Sequence, residues 1–358
     1  MTYKSKSFDI NLLSEENVKK YVLPKYNLQN TEVYQIKFKN TDKQRAIYKV
    51  VDENETYCLK KVYFDKSELL FVYSAIEWLY RYGINVPRIL PTKDRNRFVN
   101  YNNMLFILTP WVLGDKCDYD DKKHVIKSIE NLSNMHYYCK NFTPIKGGYR
   151  KEKKDILFKS YKKHFYQLIK CSNYAFKCKD KFSDIFLESF DKNLFLANIS
   201  VQISSTIQNF NLKRCLCHLD YVNKNIIVDY KNNIWTIDFD KCAIEYRVHD
   251  ISYFLRRLLR RSSTNWDVDL TIDVLNSYDE KDPLTFDEYK YILSYLCFPQ
   301  KFWKISKDYY NNIKKCNKHS FQKILNKSTE NINNQMNFVY KFSKHIENKF
   351  NKSLIDYN

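Results

Sequence analysis

Cys217-His218-Leu219-Asp220-Tyr221-Val222-Asn223-Lys224-Asn225-Ile226-Ile227-Val228, followed by Trp235-Thr236-Ile237-Asp238-Phe239-Asp240, decides how this chain is read. The pattern is H-x-D-x-x-x-x-N, an apolar strand, a turn at Lys231-Asn232-Asn233, a second strand, then D-F-D. Asp220 and Asn225 stand at the two ends of one loop, so a carboxylate can face a hydroxyl while an amide oxygen turns toward a metal. The hairpin then returns Asp238 to the same end, adding a second hard oxygen of the kind Mg²⁺ takes. Phosphoryl-transfer sites use this order of parts: an acid for the acceptor hydroxyl, then an amide and an acid for the metal on the nucleotide phosphates.

Upstream, Ser14 with Glu15 and Glu16 caps a short helix that must end before Pro24. Val33–Phe38, Ala46–Val51 and Tyr57–Tyr63 are short apolar or β-branched runs joined by polar turns, which predicts a three-stranded antiparallel meander. A helix is expected from about Lys66 to Tyr82, stopped by Gly83, with two more strands near Phe98–Tyr101 and Met104–Leu108. From Trp111 onward the pattern is helical, over about 121–139, 151–171, 181–209, 246–261, 285–297, 300–316 and 320–349. The expected fold class is α+β. Residues 1–110 would form an antiparallel-sheet lobe with one main helix and a leading segment over 1–30, and residues 111–358 a helical lobe carrying the catalytic loop at 215–240.

Composition narrows the alternatives. The chain has only four glycines, Gly83, Gly114, Gly147 and Gly148, in 358 residues. G-x-G-x-x-G, G-x-x-x-x-G-K and G-x-S-x-G are all absent, which excludes dinucleotide-binding fingerprints, Walker loops and nucleophile elbows. Where many nucleotide-binding lobes carry glycines, the first hairpin has Asn40-Thr41-Asp42-Lys43-Gln44. Phosphate contacts there would fall to the turn backbone or to Thr41 and Lys43. Ten cysteines occur without any C-x-x-C, so neither a zinc site nor a disulfide framework is signalled. No run of 18 apolar residues and no apolar leader is present, which points to cytosolic synthesis and no membrane partner.

The net charge is +19, from 60 Lys+Arg against 41 Asp+Glu. Most of the excess is diffuse lysine and reads as solvated surface. One cluster is local: Arg256, Arg257, Arg260 and Arg261 share a helical face opposite Phe254, Leu255, Leu258 and Leu259. The stripe is compatible with an acidic acceptor or partner. Nucleic acid is the least favoured one, because no recognised binding module accompanies it.

At this level of detail the chain resembles the aminoglycoside phosphotransferase and choline kinase superfamily, and more narrowly the spore coat protein S (CotS) family. Besides residues 217–240, the resemblance rests on Tyr57-Cys58-Leu59-Lys60, on residues 78–87 and 108–114, on Asp250-Ile251-Ser252-Tyr253-Phe254-Leu255-Arg256-Arg257, and on residues 298–305 with Tyr309-Tyr310-Asn311. It covers roughly residues 30–320. The resemblance implies a bilobal protein-kinase-like fold, ATP and Mg²⁺ as ligands, an unidentified hydroxyl acceptor, and a place in the coat of bacterial endospores, where other coat proteins become candidate partners.

Carried onto this sequence, the resemblance implies roles for individual residues. Lys60 would contact the α- and β-phosphates, and strand alternation puts it on the face opposite Leu59. A helix glutamate should orient that lysine. Glu68 and Glu77 are the available acids, Glu68 being the better placed, while Phe71 and Val72 occupy the turn where relatives carry theirs. Thr109, Pro110, Trp111 and Val112 would be the hinge against adenine, with only a carbonyl on offer at Pro110. Asp220 would act as base, His218 and Asp250 would support the loop, and Asn225 and Asp238 would bind metal. Asp240 is either a further carboxylate or an exposed loop acid. Two functions remain open: an ATP-dependent phosphotransferase, or an inactive kinase-fold component of the coat.

Overall fold

A computed structural model describes residues 10–39, 45–150, 152 and 156–355. The hairpin turn at 40–44 lies outside the described residues. In chain order the first elements are α1 (Glu15–Tyr21), β1 (Glu32–Lys39), β2 (Arg45–Val51), β3 (Thr56–Lys61), α2 (Lys66–Arg81), β4 (Val99–Tyr101), β5 (Met104–Pro110) and β6 (Asp115–Lys116). Then come α3 (Lys122–Tyr138), α4 (Leu157–Cys178), α5 (Lys181–Glu188), α6 (Phe190–Ser205), β7 (Arg214–Cys217), β8 (Ile226–Val228), β9 (Ile234–Thr236) and β10 (Ala243–Tyr246). The rest is helical: α7 (Arg247–Leu259), α8 (Val268–Asp279), α9 (Phe286–Cys297), α10 (Gln300–Asn311), α11 (Lys318–Thr329) and α12 (Ile332–Phe350).

These elements form two units. The first comprises Met1–Cys117, Asn141–Lys151 and Asn223–Cys242. Its sheet has the order β1-β2-β3-β5-β4 with every neighbour antiparallel. In β2 burial alternates, with Ala46, Tyr48 and Val50 inward. They pack with Leu59, Phe106 and Leu108 against Val18, Val22 and Leu23 from the region of α1. Asp65 caps α2 by accepting the Glu68 N–H at 2.9 Å. Leu69, Val72, Ile76 and Leu79 form the buried stripe of that helix, which ends before Gly83.

A second, three-stranded sheet in this unit, β6-β8-β9, carries the metal-ligand candidates. Gly114 admits the chain to it. Its φ is +140°, and a Cβ there would stand 2.3 Å from the Val228 carbonyl oxygen, so only glycine lets β6 lie against β8. The β8–β9 register pairs Ile226 with Thr236, and the Ile237 N–H donates to the Asn225 carbonyl at 3.0 Å. This pairing brings Asn225 beside the residue that precedes Asp238.

The second unit comprises Asp118–Lys140, Glu152–Val222 and Ala243–Asn358 and is mostly helical. Ser200 and Ser294 let α6 and α9 approach closely, each hydroxyl donating to the other residue's carbonyl, at 2.8 and 2.9 Å. Arg247, 2% exposed, anchors the start of α7 through two bonds to Glu288, at 2.7 and 2.8 Å, and through Asp282. Glu288 also closes a capping box with Thr285 at the start of α9.

Four features depart from the pattern reading. α8 was not expected, because one of the four residues on its buried face is Thr271, leaving Val274, Leu275 and Tyr278 as a short stripe among polar residues. β10 pairs antiparallel with β7, its strand pattern masked by Glu245, an acid pointing inward. The segment 181–209 breaks at Ser189, whose hydroxyl donates to the Ile185 carbonyl at 3.1 Å. The segment 320–349 breaks before Asn331.

Candidate functional site

In the first unit, Lys60 occupies β3 between Ile47 and Ile107, and its side chain leaves the sheet on the face opposite the buried Leu59. Its ammonium donates to Asp238 Oδ1 and to Asp240 Oδ1, both at 2.6 Å. Burial works against the charge on Lys60, but Asp240 and Asp238 outweigh it and push its pKa up. Asp240 is 3% exposed, so the exposed-acid alternative does not hold. Its Oδ2 has no hydrogen-bond partner, and an Arg45 guanidinium nitrogen stands 3.9 Å away. Asp238 adopts φ +65°, a left-handed conformation that turns the chain into the short 3₁₀ segment Phe239–Lys241.

Neither helix glutamate meets Lys60. Glu68 accepts from Arg150 Nε at 3.2 Å, and Arg150 also donates to the Cys242 carbonyl at 2.7 Å. Glu77 is held by Arg88 through two bonds of 3.0 and 2.7 Å. In the segment expected to form a hinge, Thr109 pairs with Cys58 and Pro110 with Tyr57 in the β3–β5 register. The Trp111 N–H donates to the Thr56 carbonyl at 2.9 Å, and Val112 follows, partly exposed. Asn225 is 4% exposed, at the end of the 3₁₀ turn that opens β8.

The second unit holds residues 217–222, the first part of the loop expected to be catalytic. Asp250, on the first turn of α7, is fully buried, and its Oδ2 accepts the His218 N–H at 2.6 Å while Oδ1 accepts the Leu219 N–H at 2.8 Å. Leu219 has φ +59°, a left-handed conformation costly for a leucine. Asp250 therefore holds a strained loop in place by two charge-assisted bonds. The Asp220 N–H donates to His218 Nδ1 at 3.2 Å, so that nitrogen acts as an acceptor and His218 serves the loop geometry. Just beyond, buried Tyr221 donates to the Ser128 carbonyl at 2.7 Å and accepts from Asn131 at 3.1 Å.

Behind Asp250 stands His136, with Nε2 3.3 Å from Asp250 Oδ2 and Nδ1 2.8 Å from the Tyr278 hydroxyl. Burial opposes ionisation of Asp250, but His136, then His218 and His249, more than offset it and hold the carboxyl below its usual range. His136 also lies with Cys215 and Cys217 in a buried group whose ligand atoms are within 4.8 Å of one another. Both imidazole nitrogens are already engaged, so the histidine braces Asp250.

Pattern reading missed His136, Tyr278 and Arg150, and left the burial of Asp240 open. His136 had a signal: it continues the buried α3 face of Val125, Ile129 and Leu132 as the one titratable residue among them. Arg150 had none.

Comparison with known proteins identifies the family and the fold. A family model described as "Spore coat putative kinase YutH" matches residues 28–342. Spore coat protein S of Bacillus subtilis (strain 168) is 21% identical over 286 residues, 78% of this chain and 81% of that protein. Among solved structures, an aminoglycoside phosphotransferase from Alicyclobacillus acidocaldarius has a TM-score of 0.78 at 18% identity, over 92% of this chain and 96% of that one. Spectinomycin phosphotransferase, solved with ADP and spectinomycin, has a TM-score of 0.64 at 17% identity, over 92% and 98% of the two chains. The α+β protein-kinase-like fold implied by the resemblance is the fold observed. Among the described residues no helix is long and apolar enough to cross a membrane.

Proposed function

This chain belongs to the family described as "Spore coat putative kinase YutH", and from that membership and the geometry above we propose that it is an ATP- and Mg²⁺-dependent phosphotransferase acting on a hydroxyl acceptor. One observation carries the reading: a half-buried lysine on β3 whose ammonium is held at 2.6 Å by both acids of the D-F-D segment. An ordinary polar hairpin has no use for such a costly arrangement.

The donor set suits Mg²⁺. Asn225 and Asp238 offer hard oxygens, and Asp240 Oδ2 is a buried carboxylate oxygen still without a hydrogen bond. When bound, Mg²⁺ supplies neutralisation of charge on the transferring and leaving phosphates. Lys60 has three N–H donors, of which two serve the aspartates, and the third would serve a phosphate oxygen of the nucleotide. At the hinge, Pro110 has no N–H and that of Trp111 is taken by Thr56, so the Val112 N–H and the hinge carbonyls would meet the adenine edge.

Asp220 would orient the acceptor and take its proton. As the hydroxyl oxygen bonds to the γ-phosphorus, the β,γ-bridging P–O bond breaks, leaving a phosphate monoester, ADP and a proton on Asp220. Asp250, through His218 and Leu219, positions this carboxylate and touches neither reactant.

A second reading, a coat component that keeps the fold without turnover, draws on the family and on the 21% identical coat protein. Either way the proposed location is the spore coat. A thermal-shift titration with Mg·ATP followed by a phosphoryl-transfer assay separates the two. Wild type and Asp220→Asn should be stabilised and Asp238→Ala should not, with Asp220→Asn defective only in transfer. No shift in wild type would count against the enzyme.

A further inference from the structure

α7 carries Asp250 at its start and the arginines at its end. Seven residues separate Asp250 from Arg257, two helical turns or about 10.5 Å along one face. The face that fastens the loop therefore continues to Arg257, while Arg256 and Arg260 lie about 120° and about 80° round the axis from Asp250. Tyr221, next to Asp220, packs on Phe254 of the same helix, with ring centroids 6.0 Å apart.

The arginines of this region fall into two groups. Arg247 and Arg261 have acid partners, Glu288 and Asp120 respectively. Arg256, Arg257 and Arg260 form no ion pair among the described residues, and neither does Lys301 at the start of α10. Arg256 and Arg257 are instead held by aromatic rings. Arg256 lies 4.2 Å from the Tyr295 ring centroid, and Arg257 donates to the Tyr253 hydroxyl at 2.9 Å. These contacts fix the guanidinium groups without neutralising them.

Arg256, Arg260 and Lys301 line a small recess of about 30 Å³ together with Asn193, Gln300 and Gln335, and no carboxylate lines it. Asn193 is 1% exposed, and its Oδ1 has no hydrogen-bond partner. Three cations and one unused acceptor atom suit an oxyanion that also bears a hydroxyl. Two further facts agree. Partial burial and the Arg260 guanidinium hold Lys301 below its ordinary pKa, and Asp220 is among the charges that stabilise Arg257.

We infer that this face of α7 and the recess beside it recognise the acceptor, and that the acceptor is an anionic hydroxyl compound carrying a phosphate or carboxylate group. The inference rests on the phosphotransferase reading only in calling this ligand an acceptor; the preference for an anion stands on the cations.

The test is calorimetric titration of full-length Asp220→Asn, saturated with Mg·AMP-PNP, using glucose 6-phosphate, glucuronate, glucose and glucosamine. At least one anionic sugar should bind, more weakly as salt rises, while glucose and glucosamine do not. Comparison of the two anions tells phosphate from carboxylate. Arg256→Gln with Arg260→Gln should weaken that binding at least tenfold and leave the AMP-PNP titration unchanged, whereas Arg256→Lys with Arg260→Lys should retain most of it. Preference for glucosamine, no binding of either anion, or unchanged affinity in the glutamine pair overturns the inference. Anion binding without AMP-PNP binding would instead remove the phosphotransferase reading and leave the anion site standing.

Discussion

Replacing Asp250 by alanine should destabilise the protein by about 3–6 kcal/mol, since two charge-assisted bonds to buried backbone amides are each worth about 1.5–3 kcal/mol. The amides are those of His218 at 2.6 Å and Leu219 at 2.8 Å, and His136 also loses its carboxylate. The same bonds hold Leu219 at φ +59°, a conformation that costs about 1–2 kcal/mol for a leucine. Leu219→Gly should therefore recover about 1 kcal/mol in the Asp250→Ala background, because glycine adopts that φ freely. Urea unfolding followed by tryptophan fluorescence and circular dichroism reads both numbers, provided the denaturant slope is unchanged. The pH dependence has a definite sign. The Asp250 carboxyl is held below its ordinary value of 3.8, so its contribution is complete above that value and is lost as pH falls through the lower folded one. The difference between wild type and Asp250→Asn should close below about pH 4. A loss under about 1 kcal/mol for Asp250→Ala at neutral pH would refute this account of the loop.

Other substitutions examine three separate parts of the structure. Lys60→Met strands two acids that share one cation, at an expected cost of about 3–5 kcal/mol, and adding Asp240→Asn should recover part of it in a double-mutant cycle. Gly114→Ala puts a Cβ 2.3 Å from the Val228 carbonyl oxygen, whereas nothing lies within 4 Å of a Cβ at Gly83. Thermal unfolding should show a loss above about 3 kcal/mol for the first and about 1 kcal/mol of backbone strain for Gly83→Ala. His164, stacked on Trp303 at 3.6 Å, is lowered to about 4 by burial, then by Lys307 and Lys163. Stability should thus be complete above pH 6.5 and decline toward pH 4, by no more than about 1 kcal/mol after solvent screening, and His164→Phe should flatten that decline.

The parts of the fold that sequence patterns revealed are those written in local periodicity. Alternation in β2 and the spaced apolar residues of α2 read directly, because each records which face is inward. Elements whose inward face holds a polar residue did not read: α8 with Thr271 and β10 with Glu245. The site divides the same way. Asp220, Asn225 and Asp238 form a motif within one short stretch, so spacing alone shows them. The partners of Lys60 lie 178 and 180 residues away, and His136 is 114 residues from Asp250. Contacts at such separation leave no trace in spacing, and an acid such as Glu68 offers nothing to say that its cation is Arg150.

The central claim is that Lys60, Asn225 and Asp238 serve a metal–nucleotide complex. Its most direct test is equilibrium titration of the full-length protein with AMP-PNP, in Mg²⁺ and again in EDTA, for wild type and Asp238→Ala. The account requires saturable one-to-one binding by wild type that weakens at least tenfold without Mg²⁺, and little effect of Mg²⁺ on the variant. Binding by wild type that ignores Mg²⁺, or no binding at all, would contradict it.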